Sequence, residues 1–415
     1  MAVTPIPELA RRSKAASRAL ATASSALKDD ALLAAADLLE ARTADVLAAN
    51  ALDVAGAADA GIASGLIDRL RLSEERIAAM AGGLRQVAGL ADPVGEVLDG
   101  WVRPNGLRIS RVRVPLGVVA IIYESRPNVT SDAAGLCLKS GNAAFLRGSS
   151  TAIHSNLAIA EVLRGAVAKT GLPEDSVIVV EDTSREAAVE FMQQDGLVDC
   201  LIPRGGASLI ASIKEHATVP FVIDGDGNCH VYVDRSADLD MAEAILVNAK
   251  TQRPSVCNAA ESLVVDARIA AELLPRIDVA LADVELVGDS RARSLVPRMG
   301  AATEDDFAAE FLDLKLSVKV VDDLDEAIAH VNAHSSGHSE AIVARDVVAA
   351  ERFLNEVDAA AVLLNASTRF VDGEEFGFGA EIGISTQKLH ARGPMGLAQL
   401  TTAKYVVRGD GQVRS

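Results

Sequence analysis

Hydrophobic residues recur every three or four positions through the first 90 residues of the chain, most clearly in ALLAAADLLEARTADVLAAN at 31–50. That spacing predicts a leading helical segment over residues 8–90. The pattern then changes to short, partly alternating runs around the turn-forming residues PNG at 104–106. These runs predict a β-hairpin over residues 100–114.

Strand-like and helix-like patterns alternate from residue 117 onward. The run GVVAIIYE at 117–124 is typical of a buried parallel strand. Further strands are predicted at NAAFLRG, DSVIVVED, VDCLIP, VPFVID and CHVYVD, with helices between them. A second alternating unit begins near residue 230 and runs to AAVLLN at 360–365, and LTTAKYVVRGDGQ predicts a terminal strand. Repeated βαβ patterns of this kind predict doubly wound α/β sheets.

Composition narrows the classes of function. The net charge is −18, and no basic cluster offers a footprint for nucleic acid or an anionic membrane. Four cysteines with no CxxC pair predict neither a disulfide framework nor a zinc ribbon. The N-terminus has no apolar signal segment, and no apolar run is long enough to span a membrane. These features predict a cytoplasmic protein that binds neither nucleic acid nor membrane.

Three local motifs are candidates for a binding site. No GxGxxG is present. The glycines of RGGAS at 204–208, however, lie between a predicted strand and a predicted helix, where backbone N–H groups favour a phosphate. The alternative is a plain tight turn. DGDGN at 224–228 resembles the start of a calcium loop, but Arg235 stands where the loop needs a glutamate. His330, His334 and His338 are spaced by four, but Gly337 is expected to end the helix before His338. We therefore predict no metal site.

Cys257 lies in TQRPSVCNAAES at 251–262, a small polar loop between a predicted helix and strand. Cys137 and Cys200, by contrast, stand in apolar runs typical of buried cysteines. Loops held by a scaffold often carry reactive groups. Spacing alone leaves two interpretations open, a small buried side chain or a nucleophile.

Several long motifs together resemble the aldehyde dehydrogenase superfamily, and more closely its gamma-glutamyl phosphate reductase family, over essentially the whole chain. They are VPLGVVAIIYESRPNVTSDAAGLCLKSGNAAFLRGSS, QRPSVCNAAESLVV, VDDLDEAIAHVNAHSSGHSEAI, NASTRFVDGEEFGFGAEIGIST and HARGPMGL. The resemblance implies an aldehyde dehydrogenase-like α/β fold with a Rossmann-type cofactor domain, an α/β catalytic domain and a small β oligomerisation element.

The resemblance also implies roles for individual residues. Cys257 matches the nucleophile, and Asn128 matches the side chain that stabilises the oxyanion together with backbone N–H groups. The implied cofactor contacts are Arg147, Ser149, Gly205, Gly206, Ser208 and Glu310. Glu310 would hold the nicotinamide ribose, although the Phe-Gly-Pro expected after it is replaced by Leu312-Asp313-Leu314. Arg147 and the hydroxyls after it would accommodate the 2′-phosphate of NADP(H).

The implied reaction is NADPH-dependent reduction of L-glutamyl 5-phosphate to L-glutamate 5-semialdehyde through a Cys257 thioester, in proline biosynthesis. Asp224 lies near the slot of the water-activating glutamate of hydrolytic relatives, but its shorter side chain would misplace a base. The candidate substrate contacts are Arg126, Ser385, Thr386 and Lys388; for Arg126 a structural ion pair is the alternative. We assign no cation to the Cys257 thiolate and expect backbone donors or the bound cofactor to lower its pKa.

The domain boundaries follow the same resemblance. An NADP-binding domain is expected at 1–99 and 115–228, a catalytic domain at 229–370, an oligomerisation element at 100–114 with 394–415, and a return segment to the active site at 371–393. A homodimer or homotetramer and a functional association with glutamate 5-kinase are implied. Two alternatives remain: a relative acting on a different aldehyde or acyl phosphate, and a non-catalytic binding protein with an unreactive Cys257.

Overall fold

The computed structural model describes residues 4–414, which divide into two compact units. The first unit contains the chain up to Ile223, Phe378–Gly383 and the segment from Met395 onward. The second contains Asp224–Gly377 and Ile384–Pro394. Each unit is a packed α/β body, and the functional domain boundaries given above stay a prediction.

Five helices open the first unit, as the helical spacing predicts. Serine caps fix two of their starts: Ser24 accepts the Leu27 N–H, and Ser73 accepts the Arg76 N–H. Leu32 and Leu39 on the second helix are fully buried. The helices are α1 Ile6–Leu20, α2 Ser25–Ala41, α3 Thr43–Asp59, α4 Ser64–Leu70 and α5 Glu74–Gly89.

The predicted hairpin is confirmed as β1 Val97–Val102 and β2 Arg108–Pro115, paired antiparallel. Gly106 allows the tight connection because its φ is 89°, in the left-handed region open to glycine. The predicted C-terminal strand, Thr401–Arg408, pairs antiparallel along the whole of β2. The two distant segments therefore form one three-stranded sheet.

A four-stranded parallel sheet forms the centre of the first unit, with strand order β5-β4-β3-β6. Its strands are β3 Val118–Tyr123, β4 Ala143–Arg147, β5 Val177–Val179 and β6 Cys200–Arg204. The helices that follow them are α6 Asn128–Lys139, α7 Ile153–Lys169, α8 Arg185–Phe191 and α9 Ala207–His216. Every residue of β3 is buried, which explains its unbroken apolar sequence.

The prediction of a strand at VPFVID (219–224) is wrong. Phe221 makes one isolated bridge to Leu201 at the edge of the sheet. Pro220 has no N–H to extend a ladder, and Asp224 instead bridges Ser385. The apolar run therefore crosses the sheet edge without becoming a strand.

The second unit is built on a seven-stranded parallel sheet of order β10-β9-β11-β8-β7-β12-β13. Its strands are β7 Cys229–Val233, β8 Ala260–Asp266, β9 Glu285–Gly288, β10 Gly300–Ala301, β11 Lys315–Val321, β12 Ser339–Val343 and β13 Ala361–Leu364. Its helices are α10 Leu239–Thr251, α11 Ala267–Ala280, α12 Ser290–Leu295, α13 Glu304–Ala308, α14 Leu324–His334 and α15 Val347–Glu356. The short β9 and β10 were not predicted. The remaining strands are β14 Ile384–Ser385, β15 Gly393–Pro394 and β16, the C-terminal strand.

The three spaced histidines do not share one helix. α14 ends at His334, Gly337 follows with a φ of 76°, and His338 is buried immediately before β12. Across residues 4–414, no group of three or more acidic, histidine or cysteine side chains is arranged to hold a metal ion. Within the same range, no helix is long and apolar enough to cross a membrane.

Buried His338 predicts a loss of stability in acid. Burial lowers its pKa from 6.5 to about 4, so the folded state disfavours the charged ring. Its stabilising contribution is present above pH 6.5 and is lost as the pH falls towards 4, by about 3 kcal/mol at pH 4. Urea titrations between pH 7 and pH 4 should show this loss, and His338→Asn should flatten the profile. Exposed His390→Asn serves as the control, and an equal slope in both variants would contradict the assignment.

Candidate active site

Cys257 lies in the loop between α10 and β8, and it is the only partly exposed cysteine of the four. Cys137, Cys200 and Cys229 are buried, and burial raises the pKa of each of these thiols. Nucleophilic attack requires an accessible thiolate. Cys257 alone meets the exposure requirement.

Close backbone packing fixes the position of the Cys257 peptide. A β-carbon on Gly227 would lie only 1.6 Å from the Cys257 carbonyl oxygen, so no larger residue fits there in this conformation. The thiol of Cys229 donates to the same oxygen at 3.2 Å. The segment before β7 therefore packs against the loop before β8 and supports it.

Glu310 and Asp224 are carboxylates near the Cys257 loop, and each accepts a backbone N–H. Glu310 Oε1 accepts the Gly227 N–H at 2.7 Å, and Asp224 Oδ1 accepts the Ile384 N–H at 2.9 Å. Burial raises the pKa of Glu310, and Asp226 and Asp224 raise it further. Glu310 therefore supports the loop that packs on Cys257, and its contact with a nicotinamide ribose stays a prediction.

A cation that the sequence analysis did not assign, Arg369, lies beside the nucleophile. Arg369 follows β13, and its Nε donates to Gln252 Oε1 at 2.7 Å, at the start of the Cys257 loop. Burial lowers the pKa of Arg369 and nearby Arg253 lowers it further, whereas Asp372 and then the Cys257 thiolate raise it. The only sequence signal was NASTRFVDG, one of the motifs that carry the family resemblance.

The other substrate candidates of this unit separate into two places. Thr386 packs against Gly225, where a β-carbon would lie 2.2 Å from Thr386 Cγ2. Ser385 is buried next to it, and its Oγ accepts the Gln387 N–H at 3.2 Å. Lys388 is exposed, and its Nζ is paired with Asp358. Ser385 and Thr386 thus join the segment that supports Cys257, while the Lys388 ammonium is held by a carboxylate.

The loops that form this site all precede parallel strands. Residues 224–228 lead into β7, 252–259 into β8, and 309–314 into β11. Asn228 links this edge to the start of β12, because its N–H donates to Ser336 Oγ at 3.0 Å. Since parallel strands begin at the same edge, the amino ends of the sheet carry the nucleophile.

The first unit contains a cleft of about 540 Å³ at the carboxyl ends of its parallel strands. That is the usual ligand position in open α/β sheets. Three predicted cofactor contacts line it, namely Arg147, Ser149 and Ser208. The remaining lining residues are Ile122, Tyr123, Glu124, Arg185, Ala188, Val189, Leu209, Ser212 and His216.

Arg147 ends β4 and brings a cation to the cleft. Its Nη2 donates to the carbonyls of Thr183 and Ser184 at 2.8 and 2.9 Å, and its buried Nε has no partner in the described part of the chain. Burial lowers its pKa, so an anion would stabilise the guanidinium. The cleft's size and its positive charge therefore fit a phosphate-bearing ligand such as a dinucleotide.

Glu124 is a cleft residue that the sequence analysis missed. Its Oε1 accepts the Gly206 N–H at 3.2 Å, the donor expected to meet a pyrophosphate. A β-carbon on Gly205 would lie 2.8 Å from the same oxygen, whereas Gly206 has open space around it. Gly205 therefore lets the loop approach a carboxylate that a bound phosphate would have to replace.

Asn128 and Arg126 lie just after β3, in the same unit as the cleft. Asn128 is the first residue of α6, is exposed, and donates through Nδ2 to Asp132 Oδ2 at 2.8 Å. An amide group has two hydrogens, so one is left for a ligand. Arg126 is exposed in the preceding loop. The roles of both residues stay predictions.

The chain matches the model of the aldehyde dehydrogenase family over residues 4–313 and 316–406. It is 55% identical over 409 residues to gamma-glutamyl phosphate reductase from Syntrophomonas wolfei, and 57% identical over 408 residues to that from Carboxydothermus hydrogenoformans, with 98% of each chain covered. The crystal structure of gamma-glutamyl phosphate reductase from Thermotoga maritima superposes with a TM-score of 0.98 at 48% identity, covering 99% of this chain and 100% of that one. The chain therefore belongs to the aldehyde dehydrogenase family and, within it, to the gamma-glutamyl phosphate reductases.

Proposed function

We propose that the chain is an oxidoreductase that reduces L-glutamyl 5-phosphate to L-glutamate 5-semialdehyde and phosphate, the second step of proline biosynthesis from glutamate. The observation that carries the proposal is sequence identity. Over 98% of this chain, more than half of the aligned residues are identical to those of named gamma-glutamyl phosphate reductases. The partly exposed Cys257 in a backbone-fixed loop supports it, because the reaction needs an accessible nucleophile.

Cys257 is the proposed nucleophile. Its thiolate forms a C–S bond to the acyl carbon, the C–O bond to phosphate breaks, and the leaving phosphate takes a proton from solvent. NADPH, when bound, would supply the hydride that reduces the thioester. Breaking the C–S bond then releases the aldehyde and restores the thiolate. Covalent attachment in this way divides one difficult reduction into two easier steps.

Asn128 is the proposed side-chain donor to the oxyanion that forms in each step. The amide hydrogen not used by Asp132 supports this assignment. Arg126, Ser385, Thr386 and Lys388 stay proposed substrate contacts. Lys388 would have to exchange Asp358 for the substrate, which makes it the weakest of the four.

The thioester should be reduced and not hydrolysed. Asp224 and Glu310, two carboxylates near the Cys257 loop, each accept a backbone N–H. That hydrogen bond engages one oxygen of each carboxylate and lowers the basicity of the group. The choice of a reductase over the hydrolytic alternative rests on the identity to named reductases.

Membership of the aldehyde dehydrogenase family implies a nicotinamide cofactor. We assign NADP(H) to the cleft of the first unit, with contacts from Arg147, Ser149, Ser208 and the Gly205-Gly206 turn. Arg147 and Arg185 both line the cleft, and two guanidinium groups favour a 2′-phosphate. Glu310 stays the proposed partner of the nicotinamide ribose.

The same proposal extends to assembly and location. The three-stranded sheet of β1, β2 and β16 is the proposed contact of a homodimer or homotetramer. Four cysteines without a disulfide fit a reducing compartment, and we place the reaction in the cytoplasm. A functional association with glutamate 5-kinase would supply the unstable acyl phosphate.

The decisive test is the reverse reaction of the purified chain. Glutamate semialdehyde should reduce NADP⁺ only when inorganic phosphate is present, and NAD⁺ should be used less efficiently. The kcat/KM values for both cofactors, measured with and without phosphate at fixed aldehyde, check both statements. Oxidation without phosphate would favour the hydrolytic alternative, and no cofactor reduction with any aldehyde would favour a binding protein.

A further inference from the structure

Two arginine side chains, Arg253 and Arg369, lie beside the Cys257 loop, and Asp372 is near enough to raise the pKa of Arg369 without forming an ion pair with it. Across residues 4–414, neither Arg253 nor Arg369 forms an ion pair, whereas other arginines of this unit, such as Arg276 and Arg352, pair with carboxylates. Two guanidinium groups in one place repel each other unless an anion lies between them. An unpaired cation pair is unexpected in a chain with a net charge of −18.

The position of Arg369 is fixed by the residues on both sides of it. Thr368 Oγ1 donates to the Asn258 carbonyl at 2.7 Å, and Asn258 Nδ2 donates to the Val371 carbonyl at 2.9 Å. Asn258 directly follows the nucleophile. Arg369 is therefore held against the Cys257 loop by its backbone neighbours as well as by its own bond to Gln252.

The guanidinium of Arg369 retains donors for a ligand. Among the described residues its side chain makes one hydrogen bond, from Nε to Gln252 Oε1 at 2.7 Å. Both terminal nitrogens are left, and they form the planar fork that binds phosphate and carboxylate oxygens in pairs. Arg253, four residues before Cys257, is exposed and adds a second positive charge.

We propose that Arg369, assisted by Arg253, binds the phosphate of the acyl phosphate substrate and stabilises it as it leaves. The proposal rests on the proposed function, because in that substrate the phosphate is bonded to the carbon that Cys257 attacks. That connection places the phosphate next to the sulfur. When the C–S bond forms and the C–O bond breaks, the electron pair goes to the phosphate oxygen, where the guanidinium groups stabilise the growing charge.

The reverse reaction measures this site directly. There, inorganic phosphate attacks the thioester and must bind at the same place. Arg369→Gln should raise the KM for phosphate by about 10- to 100-fold, since a hydrogen bond to a charged group is lost. The KM for glutamate semialdehyde should change less than about twofold. Arg369→Lys should recover part of the loss, because it restores charge without the planar fork.

A second measurement avoids turnover. Inorganic phosphate alone should slow alkylation of Cys257 by iodoacetamide in the unmodified protein, and Arg369→Gln should abolish that protection. Arg253→Gln should weaken it, and this exposed loop change keeps the test usable if Arg369→Gln does not fold. Arg293→Gln removes an equally exposed arginine from α12 and should leave protection unchanged.

The outcomes separate the two proposals. An unchanged KM for phosphate together with a raised KM for the semialdehyde would overturn this inference, because the arginines would then bind the substrate's α-carboxylate. Phosphate protection that survives in both arginine variants would also overturn it, while phosphate-dependent turnover would leave the proposed function intact. If the unmodified protein shows no phosphate-dependent turnover, the proposed function fails, and protection by phosphate alone still decides whether the anion site exists.

Discussion

Replacing Cys257 with alanine should lower kcat for phosphate-dependent NADP⁺ reduction by at least about 10⁴-fold, the scale seen when an enzyme loses its nucleophile. The loss should be this large because no other group can form the thioester: the remaining cysteines are buried. Cys257→Ser should be nearly as inactive, since a hydroxyl has a far higher pKa than a thiol. Initial rates at saturating aldehyde and phosphate measure the effect.

Cys200→Ala is the matched control, because it removes a thiol from the core of the first unit. It should retain catalysis while losing some stability. Intact-mass measurement after brief iodoacetamide treatment should show one modification in the unmodified protein and none in Cys257→Ala. Substantial turnover by Cys257→Ala would end the covalent mechanism.

Gly227→Ala should lower kcat/KM by about 100-fold, although residue 227 carries no reactive group. Its new β-carbon would lie 1.6 Å from the Cys257 carbonyl oxygen, so the nucleophile loop must move. The shift would also displace the N–H that Glu310 accepts. Crowding of this kind costs about 1–3 kcal/mol of folding stability.

Gly56→Ala is the control for Gly227→Ala. Gly56 lies inside α3, and a β-carbon added there would have no other atom within 4 Å, so alanine should be tolerated or slightly stabilising. Rates and urea unfolding of the two variants, measured side by side, separate local displacement from general damage. Full activity in Gly227→Ala would show that the position of the Cys257 loop is not critical.

The local pattern of hydrophobic residues was sufficient to predict most of the helices and strands. The leading helices have period-four apolar positions, and β3 has an unbroken apolar run, so each element carries its own burial pattern. VPFVID failed because it has the composition of a strand but lies where only one bridge is possible beside β6. β9 and β10 were missed because four and two residues are too few to show a period.

The site was predictable only in part, for a different reason. Cys257 and the cleft residues stand in motifs that are continuous in sequence. Arg369 is brought to the nucleophile by bonds such as that between Thr368 and Asn258, which are 110 positions apart. Glu124 was missed similarly, because its contact with Gly206 spans 82 positions. These residues become neighbours only when the chain folds, so no local spacing pattern in the sequence predicts their contacts.

The placement of the nucleophile at the amino ends of parallel strands determines which part of the protein can attract an anion. Helices of a parallel α/β unit end at that edge, and two of their carbonyls, from Phe307 in α13 and His334 at the end of α14, are bound there by Asn228 Nδ2. Helix ends of this polarity carry partial negative charge. Peptide dipoles therefore work against an acyl phosphate here, and the proposed contacts from Arg369 and Arg253 would supply the attraction. Transplanting acyl-phosphate recognition onto a distant relative would accordingly require its guanidinium groups, not only its loop backbone.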